Sequence, residues 1–112
     1  MKKVIKSFEN DQVATALQDI NPMEEVNIIS DEMKILGTIS PLQGITFGNK
    51  IALVDIPCGS TIIKAGFPIG VSVKDIKQGD LVHVQNVRSS HIDIPDEIIK
   101  EIIRQMDIKE NI

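Results

Sequence analysis

The chain has 112 residues, of which 42% are hydrophobic and 25% charged, and its formal net charge is −4 at pH 7. This size and composition are typical of one soluble domain with a single modest core. A surface that binds nucleic acid needs positive charge and stacking side chains, whereas this chain is acidic and has only three aromatic residues, all Phe. Its single cysteine, Cys58, excludes an internal disulfide or a cysteine-based zinc cluster within the chain.

The first residues, MKKVIK, have no apolar segment after their charges, so they do not predict a signal peptide. No apolar run approaches the length that spans a bilayer. We therefore expect a cytoplasmic protein with neither a membrane nor a nucleic acid as its partner. Cys58 follows Pro57 without a neighbouring His, which predicts an unreactive thiol in a turn.

Short apolar runs between turn residues predict strands through the first 90 residues. Val, Ile and Leu dominate these runs, as is common in half-buried strands. Turn residues recur about every ten positions, the spacing of a small all-β barrel or sandwich rather than of alternating strands and helices. The predicted strands cover residues 4–8, 13–17, 26–29, 33–39, 51–54, 61–64, 70–73 and 81–87.

One turn sequence recurs along the chain. Residues 55–59 read DIPCG and residues 75–79 read DIKQG, and a weaker copy at 19–23, DINPM, has Met23 in place of Gly. Each copy follows one apolar run and precedes another. We expect the Asp to close its turn with a side-chain oxygen and the Gly to adopt a positive φ.

The end of the chain predicts a helix over residues 95–107. Asp93 is the predicted N-cap, and Pro95 suits the first turn. Two interpretations remain open: the helix packs on its own domain, or it docks a partner subunit. We assign residues 1–92 to the β domain and 93–112 to the helix and tail. The apolar residues at helical spacing are Ile98, Ile99, Ile102, Ile103 and Met106.

Six polar residues near the predicted turns are candidates for chemistry. His is the side chain best suited to proton transfer or metal ligation near neutral pH, but a lone His on a strand is more often structural or at the surface. A lysine at a strand end either anchors a carboxylate or is a solvated charge. His91 is predicted to be exposed, and the strong motifs for nucleotides, nucleophiles and paired-His metal sites are absent. The candidates are Asn49, Lys50, Lys64, His83, Gln85 and Asn86.

Three segments carry a resemblance to a known family. They read GNKIALVDI at residues 48–56, IKAG at 63–66 with IG at 69–70, and DI at 75–76 leading through Gly79 to VHVQN at 82–86. This order and spacing resemble the small amino-terminal module of the altronate dehydratase family, over roughly residues 8 to 90. The resemblance implies an SAF domain of the β-clip fold. That module begins altronate and galactarate dehydratases, and it forms the small subunit of sulfolactate sulfo-lyase.

The resemblance also implies a function. The chain would be a small subunit or module of a sugar-acid dehydratase, a hydro-lyase, and would help hold a hydroxy-carboxylate while a large subunit supplies most of the chemistry. A divalent metal, iron or manganese, would serve the complex with that subunit. Lys50 and Lys64 would bind the carboxylate, and His83 would contact the metal or the leaving group. The residues expected to bind substrate hydroxyls are Asn49, Gln85 and Asn86.

Three departures from the family pattern support a second hypothesis. Asn49 and Gln85 stand where the family usually has His, and Ala65 stands where it usually has Tyr. None of the three replacements exchanges a proton near neutral pH. The alternative is therefore a non-catalytic module that binds sugar acids or regulates. In both cases we expect the isolated chain to be inactive and to associate through residues 95–107, with itself or with a large subunit.

Overall fold

A computed structural model describes residues 1–89 and 94–110 of the chain. The expected mainly β domain with one C-terminal helix is confirmed. Over the described residues no helix is long and apolar enough to cross a membrane. The elements are β1 (Lys3–Ile5), β2 (Val13–Ala16), β3 (Val26–Ile29), β4 (Ile35–Ile39), β5 (Lys50–Ala52), β6 (Thr61–Lys64), β7 (Phe67–Ser72), β8 (Leu81–Val82), β9 (Val87–Arg88) and α1 (Asp96–Met106).

The strands form two sheets. The larger has six strands in the order β4-β3-β1-β2-β5-β8, and the smaller has three in the order β6-β7-β9. Strands β1 and β3 run parallel, and the other pairs are antiparallel. Because side chains alternate along a strand, the central strands β2 and β5 feed two different cores.

The two cores lie on opposite faces of the larger sheet. Ala14 and Ile51 point to the first core, and Val13 and Ala52 point to the second. The first core consists of Val4, Ala14, Ala16, Ile20, Val26, Ile39, Ile45, Ile51, Leu53, Leu81 and Ile108. The second core consists of Val13, Ala52, Ile56, Ile62, Ile76 and Val82.

The prediction of one strand over residues 81–87 is wrong. Strand β8 ends at Val82, and a turn follows in which the amide of Val87 donates to the carbonyl of His83 at 3.0 Å. The Asn86 side chain favours this turn, because its Oδ1 accepts a hydrogen bond from the His83 amide at 3.0 Å. Such local side-chain bonds compete with strand pairing. His83 and Gln85 are therefore not alternate residues of a strand.

The repeated turn occurs four times, and we call the copies turn units 1 to 4, at residues 19–23, 44–48, 55–59 and 75–79. Unit 2, GITFG, was not predicted from the sequence because it has Gly44 in place of the Asp. In every unit the fifth residue has a positive φ, as expected for Gly; Met23 adopts it without being Gly, at a cost of about 1 kcal/mol. These residues are Met23 (φ 63°), Gly48 (84°), Gly59 (86°) and Gly79 (94°).

Turn units 3 and 4 are joined by reciprocal hydrogen bonds. Oδ1 of Asp55 accepts the amide of Gln78, and Oδ1 of Asp75 accepts the amide of Cys58, both at 2.8 Å. Each Asp thus caps the opposite unit, and the prediction that it closes its own turn is wrong. The backbones of Ile56 and Ile76 exchange two hydrogen bonds of 2.8 Å between these caps.

Units 1 and 2 form a second pair that has only one cap. Ile20 and Ile45 exchange two backbone hydrogen bonds, and Oδ1 of Asp19 accepts the amide of Phe47 at 2.8 Å. The reverse cap would need a donor at Pro22, the equivalent fourth residue of unit 1, and proline has no N–H. The loss of the Asp at Gly44 therefore leaves no backbone donor unsatisfied.

Helix α1 packs largely on its own domain. Ile99 is buried, Ile103 packs against the first core, and Ile108 in the following tail is only 7% exposed within that core. Pro95 occupies the N-cap position. Asp93, predicted there, lies outside the described residues, as do His91 and the predicted domain boundary at 92/93.

The paired caps predict a measurable asymmetry between turn units. Removing either cap with Asp55→Ala or Asp75→Ala should lower the free energy of unfolding by about 1 kcal/mol, the usual net worth of one hydrogen bond. Gly44→Asp is the matched control. Its side chain has ordinary space beside Ile20 and Pro22, but it finds no amide at Pro22, so it should add no comparable stability. Urea unfolding checks all three; a gain of about 1 kcal/mol for Gly44→Asp would contradict the assignment.

Candidate functional site

Lys50 begins β5 at the margin of the second core. It pairs with Thr15 on β2 and with Val82 on β8, and cross-strand partners place their side chains on one face of a sheet. This face carries Ala52 and Val82, both in the second core. The Lys50 side chain is consequently half-buried, although its ammonium group is charged.

Lys64 lies at the end of β6, immediately before a tight turn. Its cross-strand partner is Phe67, and Ala65 and Gly66 between them both have positive φ, 52° and 79°. Two successive positive φ values are typical of the hairpin turns that match strand twist. Lys64 is half-buried at this strand end.

His83 directly follows Val82, the residue opposite Lys50. Burial lowers the pKa of the His83 imidazole, and the neighbouring Lys50 charge lowers it further. Burial likewise lowers the pKa of Lys50, and Lys64 adds repulsion. Lys50 thus interacts electrostatically with two residues distant in sequence, Lys64 and His83, and we call these three residues the lysine–histidine cluster.

The cluster has no internal countercharge in the part of the chain that the structure describes. Neither Lys50 nor Lys64 forms an ion pair with any of residues 1–89 or 94–110. Half-buried like charges repel one another more strongly than charges in water. Such an arrangement favours an anion, which would relieve the repulsion and gain two charged contacts.

The side chains of Gln85 and Asn86 bond to the backbone next to His83. The Asn86 side chain accepts from the His83 amide and donates through Nδ2 to the Leu81 carbonyl at 2.9 Å. Gln85 Nε2 donates to the same carbonyl at 2.7 Å. Both side chains are buried, and among described residues Gln85 Oε1 has no hydrogen-bond partner. Their predicted contacts with substrate hydroxyls stay predictions.

Asn49 lies apart from the cluster. It directly precedes β5, and its Nδ2 donates to Thr46 Oγ1 at 2.6 Å. It lines a cavity of about 490 Å³ between turn units 1 and 2 and the tail at Ile108. The expectation that Asn49 acts together with Lys50 gains no support from this placement.

Asp11 is a residue of interest that the sequence patterns did not indicate. The Asp11 carboxylate is 5% exposed and accepts backbone amides from two separate segments, at Ser7 and Phe8 and at Gly66. Burial by itself raises the pKa of this carboxyl, but these amides together with that of Ala65 outweigh it, and the pKa is lowered. Asp11 and Gly66 are 55 residues apart, so no local sequence pattern predicts their contact.

The lysine–histidine cluster does not fit a metal by itself. Over the described residues no three His, Cys, Asp or Glu side chains are grouped as ligands for an ion. His83 has Lys50 as its charged neighbour, and a cation beside a half-buried ammonium is repelled. The predicted iron or manganese therefore has at most one ligand in His83 here, and we derive no chemical step through it.

The coupling within the cluster can be measured by titration. The pKa of His83 should lie below the ordinary imidazole value and should rise in Lys50→Met, which removes the neighbouring charge. Lys34→Met, at an exposed lysine of the β3–β4 hairpin, is the control and should leave it unchanged. NMR titration of the imidazole C–H signals measures both. An unchanged His83 pKa in Lys50→Met would show that the two groups are not coupled.

Comparison with known proteins shows the family to which the chain belongs. Residues 2–90 match the altronate/galactarate dehydratase SAF domain. The chain is 37% identical over 90 residues to altronate dehydratase of Escherichia coli strain K12 and 35% identical over 94 residues to that of Bacillus subtilis strain 168. These alignments cover 80% and 84% of this chain but only 17% and 18% of the dehydratases.

A third relative is itself a subunit. The alpha subunit of (2R)-sulfolactate sulfo-lyase from Chromohalobacter salexigens is 42% identical over 45 residues, which cover 40% of this chain and 48% of that subunit. The chain thus spans under a fifth of the two altronate dehydratases and about half of this subunit. It belongs to the altronate/galactarate dehydratase family as its SAF domain.

Proposed function

We propose that this chain is the small subunit or module of a sugar-acid dehydratase and binds the carboxylate of a hydroxy acid through Lys50 and Lys64. The observation that carries the proposal is the pair of half-buried lysines without a countercharge in the described chain. Two ammonium groups match the charge of a carboxylate. The large partner would supply most of the chemistry, as the small share of the relatives covered by this chain supports.

His83 would donate a proton to the leaving group. Dehydration removes a proton next to the carboxylate and expels a hydroxyl group, which leaves more readily when it receives a proton. In the free protein Lys50 disfavours protonation of His83. A bound carboxylate would offset the lysine charge and raise the His83 pKa, so the imidazole would acquire its proton as substrate arrives. A divalent metal held mainly by the large partner stays part of the proposal.

The second candidate is a binding or regulatory module without catalysis. Asn49, which occupies a position that is usually His in the family, lies before β5, lines the cavity beside turn units 1 and 2 and is bonded to Thr46. Gln85, at the other such position, is buried against backbone. Neither offers acid–base chemistry to a substrate at Lys50 and Lys64. The two candidates share the carboxylate site and differ in whether His83 transfers a proton.

Binding can be tested on the isolated chain. Calorimetry with altronate, galactarate and sulfolactate should detect one site, and Lys64→Ala should weaken it by about tenfold or more, as expected for loss of a charged hydrogen bond. Lys34→Ala, at an exposed lysine remote in sequence, is the control and should bind as the wild type does. If none of the three acids binds, the carboxylate site is wrongly placed. The same conclusion follows if Lys64→Ala and Lys34→Ala lower the affinity equally.

Turnover separates the two candidates. In the complex with the large subunit, His83→Ala should reduce the dehydration rate by roughly a hundred- to ten-thousand-fold, the usual contribution of a positioned acid or base. The fold should be intact by circular dichroism. A full rate in His83→Ala would favour the binding-only candidate for this chain.

Helix α1 is the proposed contact for self-association or for the large subunit. Although Ile99 is buried, Ile98 is 52% exposed and Met106 is also exposed. Apolar side chains left at the surface favour association. Ile98→Asp should dissociate the self-associated chain or its complex with the large subunit, as measured by sedimentation velocity. Lys100→Asp, on the same helix, is the control and should leave the assembly intact. An assembly that is unchanged by Ile98→Asp would exclude this face of the helix.

A further inference from the structure

We propose that Asp11 is the positioning residue of this anion site: its buried carboxylate holds the β6–β7 turn so that Lys64 stays beside Lys50. The inference rests on the proposed function, in which the two lysines bind the carboxylate of a hydroxy acid. Asp11 itself would not touch the ligand. It would act through the backbone of the turn that follows Lys64.

The bonds of Asp11 join two segments that are far apart in sequence. Oδ2 accepts the amides of Ser7 and Phe8 at 3.2 and 3.1 Å, and Oδ1 accepts the amide of Gly66 at 2.9 Å. The amide of Ala65 also contributes to the low pKa of the carboxyl. A single buried carboxylate thus accepts the amide of Gly66, in the turn after Lys64, together with two amides of the N-terminal segment.

Gln12 fastens the other side of Lys64 to the same segment. Its backbone N–H donates to the Ile63 carbonyl at 3.0 Å, and its side-chain Oε1 accepts the Ile63 amide at 2.9 Å. Lys64 therefore lies between Ile63, which is bonded to Gln12, and the turn at Gly66, which is bonded to Asp11. The charged side chain projects from a backbone that is fixed before and after it.

Two unfavourable contributions oppose this position of Lys64, namely backbone strain at Ala65 and repulsion from Lys50, so the turn needs stabilising contacts. Ala65 has a φ of 52°, in the left-handed region that costs a residue with a Cβ about 1 kcal/mol. Lys50 and Lys64 also repel each other. A strained turn that carries a repelled charge relaxes unless the surrounding structure holds it. The three backbone amides that Asp11 accepts, those of Ser7, Phe8 and Gly66, supply that hold.

The consequence for binding is preorganisation. The two like charges are brought together when the domain folds rather than when the ligand arrives, so less of the binding free energy is used to order the site. A looser turn would let Lys64 move into solvent. Affinity for an anion would then fall even though both lysines remain in the sequence.

The test compares two aspartates that both accept backbone amides. Asp11→Asn replaces one acceptor oxygen with an NH₂ group, which is a donor facing donors. Asp75→Asn makes the same change in turn unit 4, where Asp75 caps Cys58 and has no bond to residues 63–66. At a temperature where every protein is folded, calorimetry with galactarate should show at least about tenfold weaker binding for Asp11→Asn and unchanged binding for Asp75→Asn.

A second readout does not depend on any ligand. If Lys64 moves away from Lys50, the pKa of Lys50 should rise toward its ordinary value in Asp11→Asn and should stay lowered in Asp75→Asn. NMR titration of the lysine side-chain signals measures this change. Wild-type protein that binds no sugar acid would contradict the proposed function, while the Lys50 titration would still decide the positioning role.

Gln12→Ala covers the case in which Asp11→Asn does not fold. It removes only the side-chain bond to Ile63 and should shift the pKa of Lys50 and the galactarate affinity in the same directions by less. The inference is overturned if the Lys50 pKa is unchanged in the folded Asp11 variant, or in Gln12→Ala should that variant unfold. It is also overturned if Asp75→Asn weakens binding as much as Asp11→Asn does.

Discussion

The fold depends on aspartate carboxylates that cap backbone amides in distant turns. In turn units 3 and 4 each Asp accepts an amide of the opposite unit, so neither turn is complete alone. Units 1 and 2 repeat the arrangement with one cap, because Pro22 offers no second donor. Asp11 uses the same kind of bond to join the N-terminal turn to the β6–β7 hairpin. Short strands of two to six residues are held in place by these contacts as well as by their ladders.

Alternation along β5 then determines what each face of the larger sheet can do. Ile51 lies on the face of the first core, Asn49 just before β5 lines the cavity beside the tail of helix α1, and Lys50 lies on the face of the second core. At the margin of the second core, Lys50 interacts with both Lys64 and His83. An ammonium group there is desolvated by its surroundings and repelled by its neighbour, and an anion relieves both effects.

Much of the fold could be predicted from sequence, because local chemistry determines it. Apolar runs marked β3 and β6 with their observed bounds, and the isoleucine spacing marked α1. The turn at residues 83–86 could not be predicted, because the run LVHVQNV has the composition of a strand and only the Asn86 side chain decides otherwise. The family resemblance predicted Lys50, Lys64 and His83 as parts of one site, whereas the support from Asp11 depends on a contact that no short window contains.

The central claim is that a carboxylate joins the lysine–histidine cluster and changes its charge state. Its most direct test is the number of protons taken up when galactarate binds, measured by calorimetry in buffers of different ionisation enthalpy. Burial and Lys50 hold His83 neutral in the free protein, so just above its lowered pKa the complex should take up protons and affinity should fall as pH rises. Galactarate binding without proton uptake throughout that pH range would contradict the account.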